Sequence, residues 1–227
     1  MFTKYIAHAC GGIENISYSN SLEALNLAYA NGHRYIEFDI NHTNDGEYVL
    51  LHDWQKTREK IFNKKGRASL AEFKTDNMIN NYQQLTLAEI LIWFKKHPDC
   101  YIVSDTKDIT PAEFLAFVKK TEPQLIERII VQIYYFSQYQ KAIIYHPKAI
   151  IFGAYHNEYS ETEIIEFLKY NPCAAISMTQ DKAENNFAFL VKKELNLPTI
   201  TFTINDIETE KKFQNLAVDF FFTDFLK

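Results

Sequence analysis

At 227 residues and a formal net charge of -5, the chain is long enough for one well-buried core and carries no basic stripe of the kind that holds nucleic acid. Hydrophobic residues make up 47% and charged residues 23%, ordinary for a globular domain, and no apolar run is long enough to span a bilayer. Cys10, Cys100 and Cys173 are too few, too scattered and odd in number for a disulfide framework or a cysteine-type metal site.

Met1 to His8 runs straight into a strand, Tyr5–Ala9, without the apolar stretch of a signal peptide, so a cytoplasmic enzyme, or a domain cut from a longer protein, is expected. Ser21–Ala30 is a helix with an N-cap-like serine and with Leu22, Leu25 and Tyr29 on one face. Tyr35–Ile40 is the second strand. Tyr48–Asp53 follows it too closely for a helical crossover, and Asn44-Asp45-Gly46 is a strong turn signal. The two segments form a hairpin whose paired residue numbers add to 90, which sets His52 opposite Phe38. Residues 55–85 show no clear element beyond a short helix at Ser69–Phe73 and read as an active-site loop or lid. Within them the basic stretch Lys56 to Arg67, broken by Glu59 and apolar residues, reads as a solvated loop.

Strand and helix then alternate. Thr86–Lys96 opens on a capping box, Thr86 with Glu89, and Pro111–Lys120 opens on a first-turn proline. Strands are expected at Tyr101–Asp105, Ile129–Tyr134, Ala149–Ala154, Ala174–Met178, Thr199–Ile204 and Phe220–Thr223. Helices at Ser137–Tyr145, Glu161–Tyr170, Asn186–Leu195 and Glu208–Leu216 fill the gaps. Near-continuous apolar strands alternating with amphipathic helices imply a parallel sheet covered on both faces. The count favours a (β/α)8 TIM barrel over residues 1–227 as a single domain, with an extra β-hairpin after strand two and a truncated C-terminus lacking the last helix. No Gly-x-Gly-x-x-Gly follows the first strand, which argues against an open doubly wound sheet.

Barrel strands aim their C-terminal ends at the active site. His8 stands at the end of the first strand; alone it would read as a satisfied core histidine. Glu37 and Asp39 share one face of the second strand, and two acids on an apolar strand are costly unless paired or metal-bound. Asp105 ends the next barrel strand, with Lys107 two residues on, and His52-Asp53 ends the hairpin. Together they form one kit: His8 and His52 as acid and base, Glu37, Asp39 and Asp105 as oxygen ligands for one Mg2+ or Ca2+, and Lys107 as a phosphate contact. Asn20, Gln132, Tyr134 and Asn205 fall near the same rim as candidates for holding substrate, whereas Tyr155 and Phe202 read as barrel packing. A glycosidase would account for paired acids but for neither histidine nor for Lys107.

These segments resemble the glycerophosphodiester phosphodiesterase family, within the wider group of phosphatidylinositol-phospholipase-C-like barrels. The matching text is Ile6-Ala7-His8, Ser19 to Ala24, Gly32 to Asp39, Thr43 to Gly46, Val49 to Asp53 and Asp105-Thr106-Lys107. Thr203 to Asp206 and Phe222-Thr223-Asp224 look like that family's last two strand ends. The resemblance implies metal-dependent cleavage of a phosphodiester by a histidine pair. The substrate would be a small molecule, a lipid head-group or a glycerol-phosphate polymer. Two departures stand out. The family's His-Arg-Gly is here His8-Ala9-Cys10, and its Pro-Glu-Asn-Thr is Tyr18-Ser19-Asn20-Ser21, so a ligand glutamate is replaced by Ser19. Glu14 is a substitute ligand to consider from the first loop. The remaining carboxylates, with Asp105-x-Lys107, look like the metal site of sphingomyelinase D. A cyclising phosphodiester lyase of the phospholipase D toxin type and a non-catalytic phosphodiester-binding barrel therefore stay open beside the hydrolase.

Overall fold

The computed structural model describes residues 3–155 and 158–227. Eight parallel strands close into a ring: β1 (Tyr5–Ala7), β2 (Tyr35–His42), β4 (Tyr101–Thr106), β5 (Ile129–Ile133), β6 (Ala149–Gly153), β7 (Ala175–Thr179), β8 (Thr199–Phe202) and β9 (Phe220–Thr223). Closure is explicit, because β1 pairs with β9 on one side and with β2 on the other. Around the ring lie α1 (Leu22–Ala30), α4 (Leu87–Lys96), α5 (Pro111–Thr121), α6 (Phe136–Ile143), α7 (Glu161–Tyr170), α9 (Phe187–Leu195) and α10 (Ile207–Asn215). The architecture is the expected (β/α)8 barrel, and residues 224–227, beyond β9, form no helix.

Strand alternation sorts the apolar residues into two cores. Outward-facing residues such as Phe38, Ile102 and Phe152 pack under the helices, while Ile6, Val103, Ile130, Ile151 and Ile200 fill the barrel axis. Tyr35 and Tyr101, register partners on the neighbouring strands β2 and β4, stack with ring centroids 4.9 Å apart. Capping boxes start α4 at Thr86 and Glu89, α5 at Thr110 and Glu113, and α7 at Ser160 and Glu163, each satisfying otherwise orphaned N–H groups.

The hairpin strand β3 (Tyr48–Leu50) lies outside the ring, antiparallel to β2. Its partners Ile40–Leu50, Asn41–Val49 and His42–Tyr48 have the expected register, extended by the Leu51 N–H to the Asp39 carbonyl at 3.2 Å. β3 ends at Leu50, so His52 lies beyond the paired residues rather than opposite Phe38.

Residues 55–85 hold the short helix expected at Ser69–Phe73 and more structure besides. They contain α2 (Lys56–Phe62), α3 (Leu70–Thr75) and a 3-10 turn, Ile79–Asn81. Trp54, Ile61, Phe62, Phe73 and Met78 give them a small core of their own beside β3. The basic stretch is likewise not a solvated loop throughout. Arg58 is 5% exposed, ion-paired to Asp76 at 2.6 Å and hydrogen-bonded to the Gly66 carbonyl. Two turns of helix are too short for a periodic signal, and the flanking lysines hide it. A second short helix, α8 (Gln180–Glu184), also lay below that threshold.

Candidate active site

Beyond the axial core, the C-terminal ends of the first ring strands turn polar. Phe38 points outward, so Glu37 and Asp39 point into the barrel, both 1% exposed. Parallel pairing sets Asp105 level with Asp39. Glu37, Asp39 and Asp105 each offer a carboxylate oxygen, and these oxygens all lie within 4.8 Å of one another. Local backbone and side chains aim them. The Ala9 N–H donates to Glu37 Oε2 at 2.7 Å, made possible by left-handed backbone at Ala9 and Cys10 just after β1. Asn20 clasps Asp39 twice, donating from Nδ2 to Oδ2 at 2.9 Å and accepting the Asp39 N–H at 3.1 Å.

Burial, then the charge of Asp39, pushes the Glu37 carboxyl well above the usual range. Burial also opposes charge on Asp39, but Lys107, His52 and His8 outweigh it and hold that carboxyl low. Lys107 Nζ lies 3.0 Å from Asp39 Oδ1 and donates to Asp105 Oδ2 at 2.7 Å. Its burial is outweighed by the two acids, which raise its pKa. Three crowded acids with one lysine between them leave negative charge over. Glu37 Oε1, moreover, is a buried oxygen without a hydrogen-bond partner. An all-oxygen donor set with an orphaned oxygen is what a hard divalent cation fits.

The histidines flank this cluster. His8 Nδ1 bonds Asp224 Oδ1 at 2.9 Å, and Asp224 is fixed in turn by Asn205 Nδ2 at 2.9 Å and by its own N–H to Asn205 Oδ1 at 2.7 Å. Burial disfavours charge on His8, but the bond to Asp224 and the charges of Glu37, Asp224 and Asp39 raise it to about 9. His52 Nδ1 bonds Asp53 Oδ2 at 3.1 Å. Burial opposes ionisation of Asp53, yet bonds from Thr57 and His52 and from the Gln55 and Thr57 N–H groups hold it far below the usual carboxylate range. Tyr18 lies between the imidazoles; burial and then the charges of Asp39, Asp224 and Glu37 push its phenol to about 12.

His8, His52, Glu37, Asp105, Lys107 and Gln132 all face one cavity of about 240 Å³. Its far wall is aromatic: Tyr155 and Phe202 line it, and Phe202 also packs against the axial core as expected. Tyr134 and Tyr155 have centroids 5.0 Å apart, as do Tyr155 and Phe202. Gly153 makes room for this wall, since a Cβ there would meet the Tyr134 ring at 2.6 Å. Tyr134 donates its hydroxyl to Asp105 Oδ1 at 2.5 Å. Asn20 and Asn205 are spent on Asp39 and Asp224 rather than on the cavity. Glu14 is away from the carboxylates, its Oε2 accepting from Asn80 and from Tyr82 at 2.9 and 2.8 Å, so it does not replace the missing glutamate. Ser19 turns to Ser21, with their hydroxyls 3.0 Å apart. In the sequence Asp224 and Asp53 stand out only as parts of motifs. The signal for them was present: an acid directly after an apolar strand that ends at the histidine side of the barrel.

The family model for the glycerophosphoryl diester phosphodiesterase family matches residues 8–227. The chain belongs to this family. Its members are phosphoric diester hydrolases, and this chain is an enzyme of that class; the family is metal-dependent, and this chain has a carboxylate cluster at the barrel mouth. No curated protein sequence matches the chain significantly. Among solved structures, a glycerophosphodiester phosphodiesterase from Thermotoga maritima superposes with a TM-score of 0.76 at 18% identity, covering 99% of this chain and 95% of that one. An Oleispira antarctica phosphodiesterase in complex with the product sn-glycerol-3-phosphate gives 0.76 at 20% identity, over 99% and 94%. A glycerophosphodiester phosphodiesterase from Agrobacterium tumefaciens gives 0.71 at 16%, over 99% and 97%. At such identities the likeness is one of fold. No helix among the described residues is long and apolar enough to cross a membrane.

Proposed function

We propose that this family member hydrolyses a glycerophosphodiester-like phosphodiester with the help of one divalent cation, Mg2+ or Ca2+, His8 and His52 sharing the proton transfers. The observation that carries the reading is the single cavity shared by both imidazoles and the acid cluster. Glu37, Asp39 and Asp105 would hold the cation, which when bound supplies positive charge to a non-bridging phosphate oxygen. Lys107, already charged beside these acids, adds a second positive contact for the phosphate.

Each histidine is tied through Nδ1 to a carboxylate, which leaves Nε2 as the working nitrogen. One imidazole takes a proton from the attacking water, and the other gives one to the departing alkoxide. Asp224 and Asp53 each anchor one ring nitrogen and stabilise the imidazolium form. Gln132 and Tyr134 orient the substrate, and Asn20 and Asn205 act one step back by bracing Asp39 and Asp224. Residues 55–85 form the rim beside His52. Where the substrate carries a hydroxyl next to the phosphate, that hydroxyl competes with water as the nucleophile. A cytoplasmic setting, and lipid head-groups or glycerol-phosphate polymers as substrates, belong to this proposal.

Phosphorus NMR of glycerophosphodiesters incubated with the protein tests it and separates cyclic from open products. Turnover is expected to stop with a chelator, to return with Mg2+ or Ca2+, and to fall about 10²- to 10⁴-fold in His8→Ala and His52→Ala. Full turnover in chelator or in either variant would overturn it.

A further inference from the structure

Tyr18 has no part in the chemistry above, yet it occupies the space between the two histidines. Its ring meets both edge-to-face, with centroids 4.6 Å from His8 at 84° and 5.1 Å from His52 at 85°. It lines the cavity and belongs to none of the apolar core clusters among the described residues. Its backbone is left-handed, with φ +63°. That conformation is unfavourable for any residue with a Cβ and worst for bulky ones; glycine or asparagine fits it more cheaply. Such a conformation persists where the surroundings over-determine it, often at functional sites.

His52 shows why a ring there matters. Its side chain is 37% exposed, and among the described residues only Nδ1 is anchored, by Asp53. One bond at one nitrogen leaves the imidazole plane free to swing, because the torsion to a flat ring is broad. An edge-to-face contact removes that freedom. The same ring touches His8, so it ties the plane of one imidazole to that of the other.

We propose that Tyr18 is a positioning residue, its ring a spacer that fixes the separation and tilt of the His8 and His52 imidazoles across the cavity. The idea rests on the reading of those histidines as the acid–base pair. The spacer is the ring and not the hydroxyl, so Phe serves as well as Tyr.

The test uses the full chain with Mg2+ or Ca2+ and a glycerophosphodiester. Tyr18→Phe should keep kcat within about twofold. Tyr18→Ala and Tyr18→Gly should lower kcat about tenfold to a hundredfold with KM little changed, the scale on which misplaced groups act. Tyr18→Gly should melt no lower than the parent, because glycine relieves the left-handed backbone while removing the ring. Imidazole NMR gives a readout that needs no turnover: the ring protons of His8 and His52 should shift together in the Ala and Gly variants and stay put in the Phe variant. Loss of kcat in Tyr18→Phe equal to that in Tyr18→Ala would assign the role to the hydroxyl and overturn the spacer. So would unchanged kcat and imidazole shifts in Tyr18→Ala. If His8→Ala and His52→Ala stop turnover while Tyr18→Ala does not, the spacer alone fails; if the histidine variants still turn over, the acid–base reading fails.

Discussion

The two halves of the barrel mouth are built from different chemistry. On the β1–β4 side the strand ends carry His8, Glu37, Asp39 and Asp105, joined by Lys107 and by His52 from the hairpin. On the β5–β8 side they carry Gln132 and Tyr134, then Gly153, Ser177 and Phe202. One half supplies charge, and the other shapes a low-dielectric wall against it. Within the charged half, Glu37 stays high and Asp39 low although both are buried, because of the two only Asp39 has a lysine beside it.

Removing charge from the first half should cost most. Asp105→Asn takes one oxygen from the cluster and should reduce turnover about 10²- to 10³-fold and weaken Mg2+ or Ca2+ binding measured by calorimetry. Unchanged affinity would move the cation elsewhere. Asp224→Asn tests the support behind the same half. It leaves the His8 ring in place but removes the charge that holds its Nδ1, and kcat should fall about tenfold to a hundredfold. Cutting into the second half should do less. Phe202→Ala opens the aromatic wall and should raise KM about tenfold, with kcat nearly kept, in steady-state assays. A collapse of kcat in this variant would erase the distinction between the two halves.

The smallest effect on activity is expected outside both halves, at Asp76. Burial opposes its charge, but Lys64 and Arg58 hold its carboxyl below the usual value. A depressed folded value means that its stabilisation is present above the unfolded value of about 3.9 and is lost as pH falls through the folded one. Acid unfolding followed by circular dichroism should therefore lose part of its pH dependence below about pH 4 in Asp76→Asn. The same variant leaves Arg58 buried without its partner and should lower the melting temperature at neutral pH, with kcat unchanged.

The same contrast decides what was legible in the sequence. The charged half was readable because acids and histidines at the ends of apolar strands break a strong pattern. Glu37-Phe38-Asp39 gave its facing from alternation alone, and Asn44-Asp45-Gly46 gave the hairpin register. The shaping half was not. Tyr155 and Phe202 look like core in a chain rich in aromatics, and only closure of the ring decides that they face a cavity. Asn20 and Asn205 were recognised as belonging near the site, but their bonds to Asp39 and Asp224 join residues 19 positions apart, beyond any local pattern. Arg58 in α2 was hidden for a similar reason, since its partner Asp76 lies 18 residues on.

A crystal of the full chain soaked with Mg2+ or Ca2+ and inorganic phosphate tests the central claim most directly. The account predicts a cation held by Glu37, Asp39 and Asp105, with the phosphate within hydrogen-bond reach of His8, His52 and Lys107. A cation bound by other residues, or a phosphate bound out of reach of both imidazoles, would contradict it.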